Sequence, residues 1–149
     1  MSDLDTLYRE IILDHAKRRA GSGLDQQPPA GASTGSSHQL NPTCGDEITL
    51  RAAVVDGRVD EVRWDGRGCS ISMASASVLS ELAVGLDADG FRRMADEFRA
   101  MMRTRDDTVD HEETLGDASA FAGVSRYPAR VKCAMLAWVA AEHAIAEAL

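Results

Sequence analysis

The fold is decided by residues 47–66, which read EITLRAAVVDGRVDEVRWDG. Apolar and polar residues alternate along each half of this stretch, and the pair Asp56-Gly57 separates the halves. Alternation with a period of two is typical of half-buried β-strands, and an Asp-Gly pair between two such runs is a strong signal for a hairpin turn. Because the strands of a hairpin run antiparallel, Cys44 before the first strand and Cys69 after the second are expected at the same end.

Helical patterns flank this hairpin on both sides. Apolar residues recur at helical spacing over 3–20, 70–84, 91–101 and 128–149, and the last of these begins with a proline, which suits a first helical turn. His15, on the first helix, is predicted to be a partly buried core histidine. A small antiparallel β-sheet with an N-terminal helix and several C-terminal helices packed on it describes an α+β domain.

The chain of 149 residues is expected to form a single domain over 1–149. Two segments interrupt the regular patterns. Residues 21–43 hold three of the four prolines and four glycines, which predicts a flexible Gly/Ser/Pro-rich loop. Residues 104–117 are acidic and break the helical spacing. They begin a segment over 104–123 that separates the final helix from the helix before it.

Composition excludes several classes of function. Lys and Arg number 16 against 24 Asp and Glu, so the net charge of −8 has the wrong sign for gripping nucleic acid phosphates. No window approaches the ~20 apolar residues of a membrane span, and the acidic start MSDLDTLYRE does not resemble a secretory signal. We therefore expect a cytoplasmic protein that binds neither nucleic acid nor membrane.

The three cysteines are Cys44, Cys69 and Cys133, an odd number that argues against a disulfide framework. Cys69 and Cys133 are predicted near helix N-termini, where thiolates are favoured, and Cys44 lies in a Gly-containing turn. Together with Asp46 they offer the four ligands that tetrahedral zinc requires. Inert buried packing of free cysteines is the alternative, and the spacing alone leaves both interpretations open.

Three stretches resemble the signature motifs of the U-type proteins of iron–sulfur cluster assembly: NPTCGD at 41–46, GRGCSISMASAS at 66–77 and GVSRYPARVKC at 123–133. Their order, content and spacing all match that family. The similarity extends over nearly the whole chain, because LDTLY at 4–8 and the pair Asp14-His15 resemble the family's opening helix. The resemblance implies a SufE/IscU-like fold.

The chain is more similar to the SufU branch of this family than to the IscU-like scaffold branch. The scaffold branch has a histidine immediately before its last cysteine, where this chain has Lys132, and segment 104–123 resembles a SufU-type insertion. The resemblance implies a sulfurtransferase that accepts persulfide sulfur on Cys44, its catalytic residue, from a SufS-type cysteine desulfurase. Such a protein acts only together with the desulfurase, and downstream iron–sulfur scaffold proteins take the sulfur. The alternative is a scaffold on which an iron–sulfur cluster is assembled by the same thiolates.

The resemblance also implies one zinc ion per chain. Its ligands would be the three cysteines and one aspartate: Cys44, Asp46, Cys69 and Cys133. This ligand set carries a net formal charge of about −2 around zinc, which the supporting residues Arg130 and Lys132 are expected to offset. Asp46 is the hardest ligand for borderline-soft zinc, so it is expected to be the ligand that exchanges most easily.

Overall fold

The computed structural model describes residues 3–104 and 111–149. In this part of the chain, three strands form one antiparallel sheet in the order β1-β2-β3: β1 (Ser33–Asn41), β2 (Asp46–Val55) and β3 (Arg58–Arg67). The predicted hairpin is confirmed, because Val55 pairs with Arg58 across the turn. Asp56 and Gly57 have φ angles of 53° and 77°, as a two-residue hairpin turn with positive φ at both positions requires.

Five α-helices and one 3-10 helix surround the sheet within the same described residues. They are α1 (Asp3–Arg18), α2 (Ser70–Leu82), α3 (Ala88–Thr104), α4 (Glu112–Leu115), the 3-10 segment (Gly116–Arg126) and α5 (Pro128–Ala148). The helices predicted over 3–20, 70–84, 91–101 and 128–149 are confirmed to within a few residues at their ends. The architecture is α+β, with one N-terminal helix and several C-terminal helices on an antiparallel sheet.

The core centres on Trp138 of α5, the helix that packs across β1 and β2. Its ring stacks on Phe98 of α3 with the ring centroids 4.3 Å apart, and Phe91 lies 6.0 Å away on the same helix. The indole Nε1 donates a hydrogen bond of 3.0 Å to the hydroxyl of Ser75 on α2. One buried indole therefore fixes α2, α3 and α5 relative to one another.

Strand β1 shows that the prediction of a loop over 21–43 was wrong for residues 33–41. β1 pairs with β2 from Ser33 opposite Val54 to Asn41 opposite Asp46. Its sequence, STGSSHQLN, shows no apolar alternation, because the strand lies at the sheet edge and buries Gly35 and Asn41. Helix α5 covers this strand. A Cβ added at Gly35 would lie 2.7 Å from the backbone N of Ala148. A glycine is therefore needed for this close approach of strand to helix.

The outer edge of β3 is covered by the chain that follows α1 and by the chain that follows α2. The Trp64 amide donates to the Gly21 carbonyl at 2.9 Å, and the Gly23 amide donates to the Trp64 carbonyl at 2.8 Å. Further along the edge, the Val59 amide donates to the Leu86 carbonyl at 2.8 Å. Part of the predicted loop is thus bonded to the sheet, which protects an edge from pairing with other chains.

His15 is a core residue, as predicted, but it is fully rather than partly buried, with 1% of its surface exposed. Its Nδ1 lies 2.8 Å from the Ser77 hydroxyl on α2, and its Nε2 lies 3.0 Å from an Asp117 carboxylate oxygen in the 3-10 segment. Both ring nitrogens are therefore used to join α1 to its two neighbours.

Residues 105–110 of the predicted insertion lie outside the described residues. Residues 111–123 of it form α4 and most of the 3-10 segment. Across residues 3–104 and 111–149, no helix is both long and apolar enough to cross a membrane.

Candidate metal centre

Four elements bring the candidate ligands to one end of the sheet. Cys44 lies in the turn between β1 and β2, and Asp46 is the first residue of β2. Because Glu47 of β2 pairs with Arg67 of β3, the start of β2 lies beside the point where the chain enters α2 through Cys69. Cys133 comes from the second turn of α5, the helix that crosses β1 and β2.

The structure places the ligand atoms of Cys44, Asp46 and Cys133 within 4.8 Å of one another. The sulfurs of Cys44 and Cys133 are 3.5 Å apart. Cys69 is not a member of this three-residue group, but its sulfur lies 3.8 Å from Oδ2 of Asp46. Cys44 and Cys69 therefore lie at the same end of the hairpin, as its antiparallel pairing predicts.

Asp46 is a buried carboxylate, 1% exposed, and is held on both oxygens. The backbone amide of Cys69 donates to Oδ1 at 3.0 Å, and the Ser72 hydroxyl donates to Oδ2 at 2.6 Å. Burial by itself raises the pKa of Asp46, but hydrogen bonds from Cys133, Ser72 and Cys69 outweigh it and bring the pKa below its usual value. Asp46 is therefore ionised at neutral pH.

The three sulfurs lie in different environments. Burial raises the pKa of Cys133 far above that of a free thiol, and its contacts with Asp46 and Cys44 raise it further. Burial also acts to raise the pKa of Cys69, but hydrogen bonding, with the Ser72 amide the largest contribution, outweighs it and lowers the pKa. The pKa of Cys69 thus lies below that of a free thiol, whereas Cys133 holds its proton more tightly than a free thiol does.

Cys44 is the exposed member of the group. The side-chain amide of Asn41 donates to the Cys44 sulfur at 3.3 Å, and the Gly45 amide donates to the Asn41 carbonyl at 2.8 Å. Gly45 has a φ of 75°, a left-handed conformation that favours glycine and closes the turn. Cys44 is therefore the ligand residue most open to other molecules, whereas Cys69 is partly buried and Asp46 and Cys133 are buried.

A groove of about 1050 Å³ opens beside Cys69. Its lining includes Ile12 of α1, Tyr127 and Arg130. Arg130 is exposed there, and Lys132 is exposed one residue before Cys133. Their role in offsetting the charge of the site remains a prediction.

Two residues that shape the site, Asn41 and Ser72, were not predicted from the sequence. Asn41 carries a usable signal, since an Asn-Pro-Thr stretch favours a turn in which the Asn side chain bonds the backbone two residues on. The Thr43 amide does donate to Oδ1 of Asn41, at 3.2 Å. Ser72 carries no such signal, because it is one of several serines within a helical segment.

The donor set fits zinc. Three sulfurs and one carboxylate make four ligands of the kinds that zinc accepts. Two thiolates bound to one tetrahedral zinc at ~2.3 Å lie about 3.8 Å apart. The observed separation of 3.5 Å between the Cys44 and Cys133 sulfurs is close to that spacing.

The family model described as the NifU-like N terminal domain matches residues 7–134. The chain belongs to this family. Two NifU-like relatives align over almost the whole chain. "Zinc-dependent sulfurtransferase SufU" of Bacillus subtilis (strain 168) is 39% identical over 148 residues, covering 98% of this chain and 94% of that protein. "Iron-sulfur cluster assembly scaffold protein IscU" of Streptococcus pyogenes serotype M1 is 35% identical over 147 residues, covering 97% and 86%.

A solved structure shows the same NifU-like fold. The crystal structure of FiSufU from thermophilic Fervidobacterium islandicum AW-1 superposes with a TM-score of 0.76 at 30% identity, covering 94% of this chain and 97% of that chain. The resemblance inferred from the three cysteine motifs is therefore confirmed.

Proposed function

We propose that this chain is a zinc-dependent sulfur-transfer protein of iron–sulfur cluster assembly. It accepts persulfide sulfur on Cys44 from a SufS-type cysteine desulfurase and passes the sulfur to downstream scaffold proteins. One observation carries the proposal: the sulfur of Cys44, an exposed residue, lies 3.5 Å from the sulfur of the buried Cys133, beside the ionised Asp46. The 39% identity to a protein named as a zinc-dependent sulfurtransferase supports it.

Four side chains would hold the zinc ion in this proposal: Cys44, Asp46, Cys69 and Cys133. Zinc, when bound, would keep the Cys44 sulfur a thiolate at neutral pH. The hydrogen bonds from Cys69 and Ser72 fix the position of the Asp46 carboxylate through contacts with α2.

Burial indicates which ligand exchanges when the partner docks. Hardness alone favours release of Asp46, but that side chain is buried and bonded on both oxygens. Cys44 is exposed and lies in a turn, so an incoming group from the desulfurase can reach and replace it. We therefore assign the exchange to Cys44, which then becomes free to react.

The chemical step is a displacement at sulfur. The Cys44 thiolate attacks the terminal sulfur of the desulfurase cysteine persulfide, and a new sulfur–sulfur bond forms on Cys44. The sulfur–sulfur bond of the partner breaks, and its electron pair leaves on the partner cysteine as a thiolate. The persulfide proton stays with the transferred sulfur, so no outside oxidant or reductant is needed.

A scaffold for iron–sulfur cluster assembly is the second candidate. The Streptococcus pyogenes relative, which is named as such a scaffold, favours it at 35% identity. Cysteine thiolates bind iron–sulfur clusters as readily as zinc. Lys132, in place of the histidine of the scaffold branch, favours sulfur transfer.

Metal content and desulfurase stimulation together distinguish the two candidates. We expect about one zinc per chain and a large increase in alanine production when the protein is added to a SufS-type desulfurase with cysteine. Cys44→Ser should abolish the increase and leave the circular dichroism spectrum unchanged. Iron with visible absorbance and no stimulation would favour the scaffold instead.

A further inference from the structure

We infer that Ser72 is a positioning residue, whose hydroxyl keeps the Asp46 carboxylate beside the Cys44 and Cys133 sulfurs. The inference rests on the proposed function, because it takes Asp46 as a zinc ligand. It adds a residue that is not itself a proposed ligand and acts through the Asp46 carboxylate; the same hydroxyl also lies 3.6 Å from the Cys69 sulfur, so the test below separates the two contacts.

The contact between Ser72 and Asp46 is buried and short. Ser72 is 2% exposed, and its hydroxyl donates to Oδ2 of Asp46 at 2.6 Å. A serine inside a helix commonly bonds a carbonyl one turn earlier on its own helix. Ser72 instead donates to a carboxylate from β2, which ties the first turn of α2 to the start of that strand.

Asp46 also occupies the position of a helix cap. Cys69 is the N-cap residue of α2, and its amide donates to Oδ1 of Asp46. A carboxylate at a helix N-terminus is stabilised by the unpaired amides and the positive end of the helix dipole. The helix holds one oxygen through the Cys69 amide and the other through the Ser72 hydroxyl, so the plane of the carboxylate is fixed by two points.

The two hydrogen bonds to Asp46 leave lone pairs on its carboxylate for a metal. An ionised carboxylate offers about four lone-pair positions, and these two hydrogen bonds occupy one on each oxygen. The remaining lone pairs face the thiols of Cys69 and Cys133, whose protons a metal ion would replace. Without the Ser72 hydroxyl, one of the two points is lost and the carboxylate can turn about the Cys69 contact.

The expected effect is on metal affinity. Removing a hydrogen-bond partner of a metal ligand typically weakens metal binding by ~10–100-fold. Ser72→Ala should therefore lower zinc affinity by about that factor. The Ser72→Thr variant keeps the hydroxyl, so its zinc affinity should stay close to that of the parent. Ser72→Val has nearly the same shape as Ser72→Thr but lacks the hydroxyl, so its zinc affinity should fall as in Ser72→Ala.

Ser80 provides a matched control about two turns further along α2. It is 5% exposed, and its hydroxyl donates to the Ala20 carbonyl at 2.7 Å. Ser80→Ala thus removes a buried hydroxyl from the same helix without touching Asp46 or the residues beside Cys133. It should lower the melting temperature and leave zinc affinity unchanged.

The test is a competition titration of zinc against a colorimetric chelator, with folding checked by circular dichroism. Asp46→Ala and the double variant Asp46→Ala/Ser72→Ala complete a double-mutant cycle. If Ser72 acts through Asp46, Ser72→Ala has no further effect once Asp46 is gone. If Ser72→Ala does not fold, the comparison of Ser72→Thr with Ser72→Val decides in its place.

The outcomes separate this inference from the proposed function. One outcome would overturn the inference alone. If Asp46→Ala lowers zinc affinity but Ser72→Ala and Ser72→Val bind zinc like the parent, Ser72 does not position Asp46. Additive losses in the double variant would show that Ser72 acts by another route, such as its 3.6 Å contact with the Cys69 sulfur, which also overturns the inference. Parent affinity in Asp46→Ala would remove Asp46 from the proposed site, and the role of Ser72 with it.

Discussion

Gly68→Ala is expected to weaken zinc binding without adding any polar group. Gly68 precedes the N-cap of α2 and lies against the Asp46 carboxylate. A Cβ at this position would be 2.8 Å from Cγ of Asp46 and closer still to Oδ1. The carboxylate and the alanine methyl cannot occupy this space together.

The required displacement follows from these distances. Ordinary contact for a Cβ begins at 3.4 Å, so Cγ of Asp46 would have to move by about 0.6 Å. Metal–ligand distances tolerate a deviation of only ~0.2 Å. Asp46 would be lost or badly placed as a ligand, so we expect zinc affinity to fall by ~10–100-fold, as for other changes that disturb a ligand.

The assay is the chelator competition titration, with Gly123→Ala as the control. A Cβ at Gly123 meets none of the described atoms within 4 Å, so this variant should bind zinc like the parent. Parent-like zinc affinity in a folded Gly68→Ala protein would refute the reasoning, because it would mean that the position of Asp46 does not matter to the metal.

Three further predictions concern stability and charge. Gly35→Ala should destabilise the fold by about 1–3 kcal/mol, because its Cβ would press on the α5 backbone; thermal melts should show a loss of ~2–12 °C relative to Gly123→Ala. Zinc removal by a chelator should lower the melting temperature markedly, since a structural zinc site can contribute ~10 kcal/mol of binding free energy; an unchanged melt after verified removal would contradict this. Arg130→Ala with Lys132→Ala should weaken zinc binding by about 0.5–1 kcal/mol at low salt and by less at high salt, as titrations at two ionic strengths would reveal.

The central hairpin could be predicted because its signals are local. Strand alternation and the Asp56-Gly57 turn lie within one short stretch, and they place Cys44 and Cys69 at one end. Strand β1 could not be predicted in the same way. Its polar sequence gains stability from α5, which passes close to Gly35, and that contact joins residues far apart in the chain.

Some features of the candidate site could likewise be predicted from local sequence, whereas others depend on contacts between distant parts of the chain. The approach of Cys133 to Cys44 depends on how α5 crosses the sheet, which no local pattern contains, so only the motif resemblance predicted it. Ser72 could not be singled out, because its importance comes from Asp46 lying opposite it. The expectation that Asp46 exchanges first rests on ligand hardness and stays a prediction, whereas exchange at Cys44 is proposed from burial, which only the three-dimensional structure supplies.

The central claim is that Cys44 accepts sulfur, and peptide mass spectrometry tests it most directly. The zinc-loaded protein is incubated with a SufS-type desulfurase and cysteine, alkylated to trap persulfides, and digested. We predict one added sulfur, about 32 Da, on the peptide containing Cys44, and none in the Cys44→Ser variant. Added sulfur on Cys69 or Cys133 instead, or no added sulfur on a protein that stimulates the desulfurase, would contradict the account.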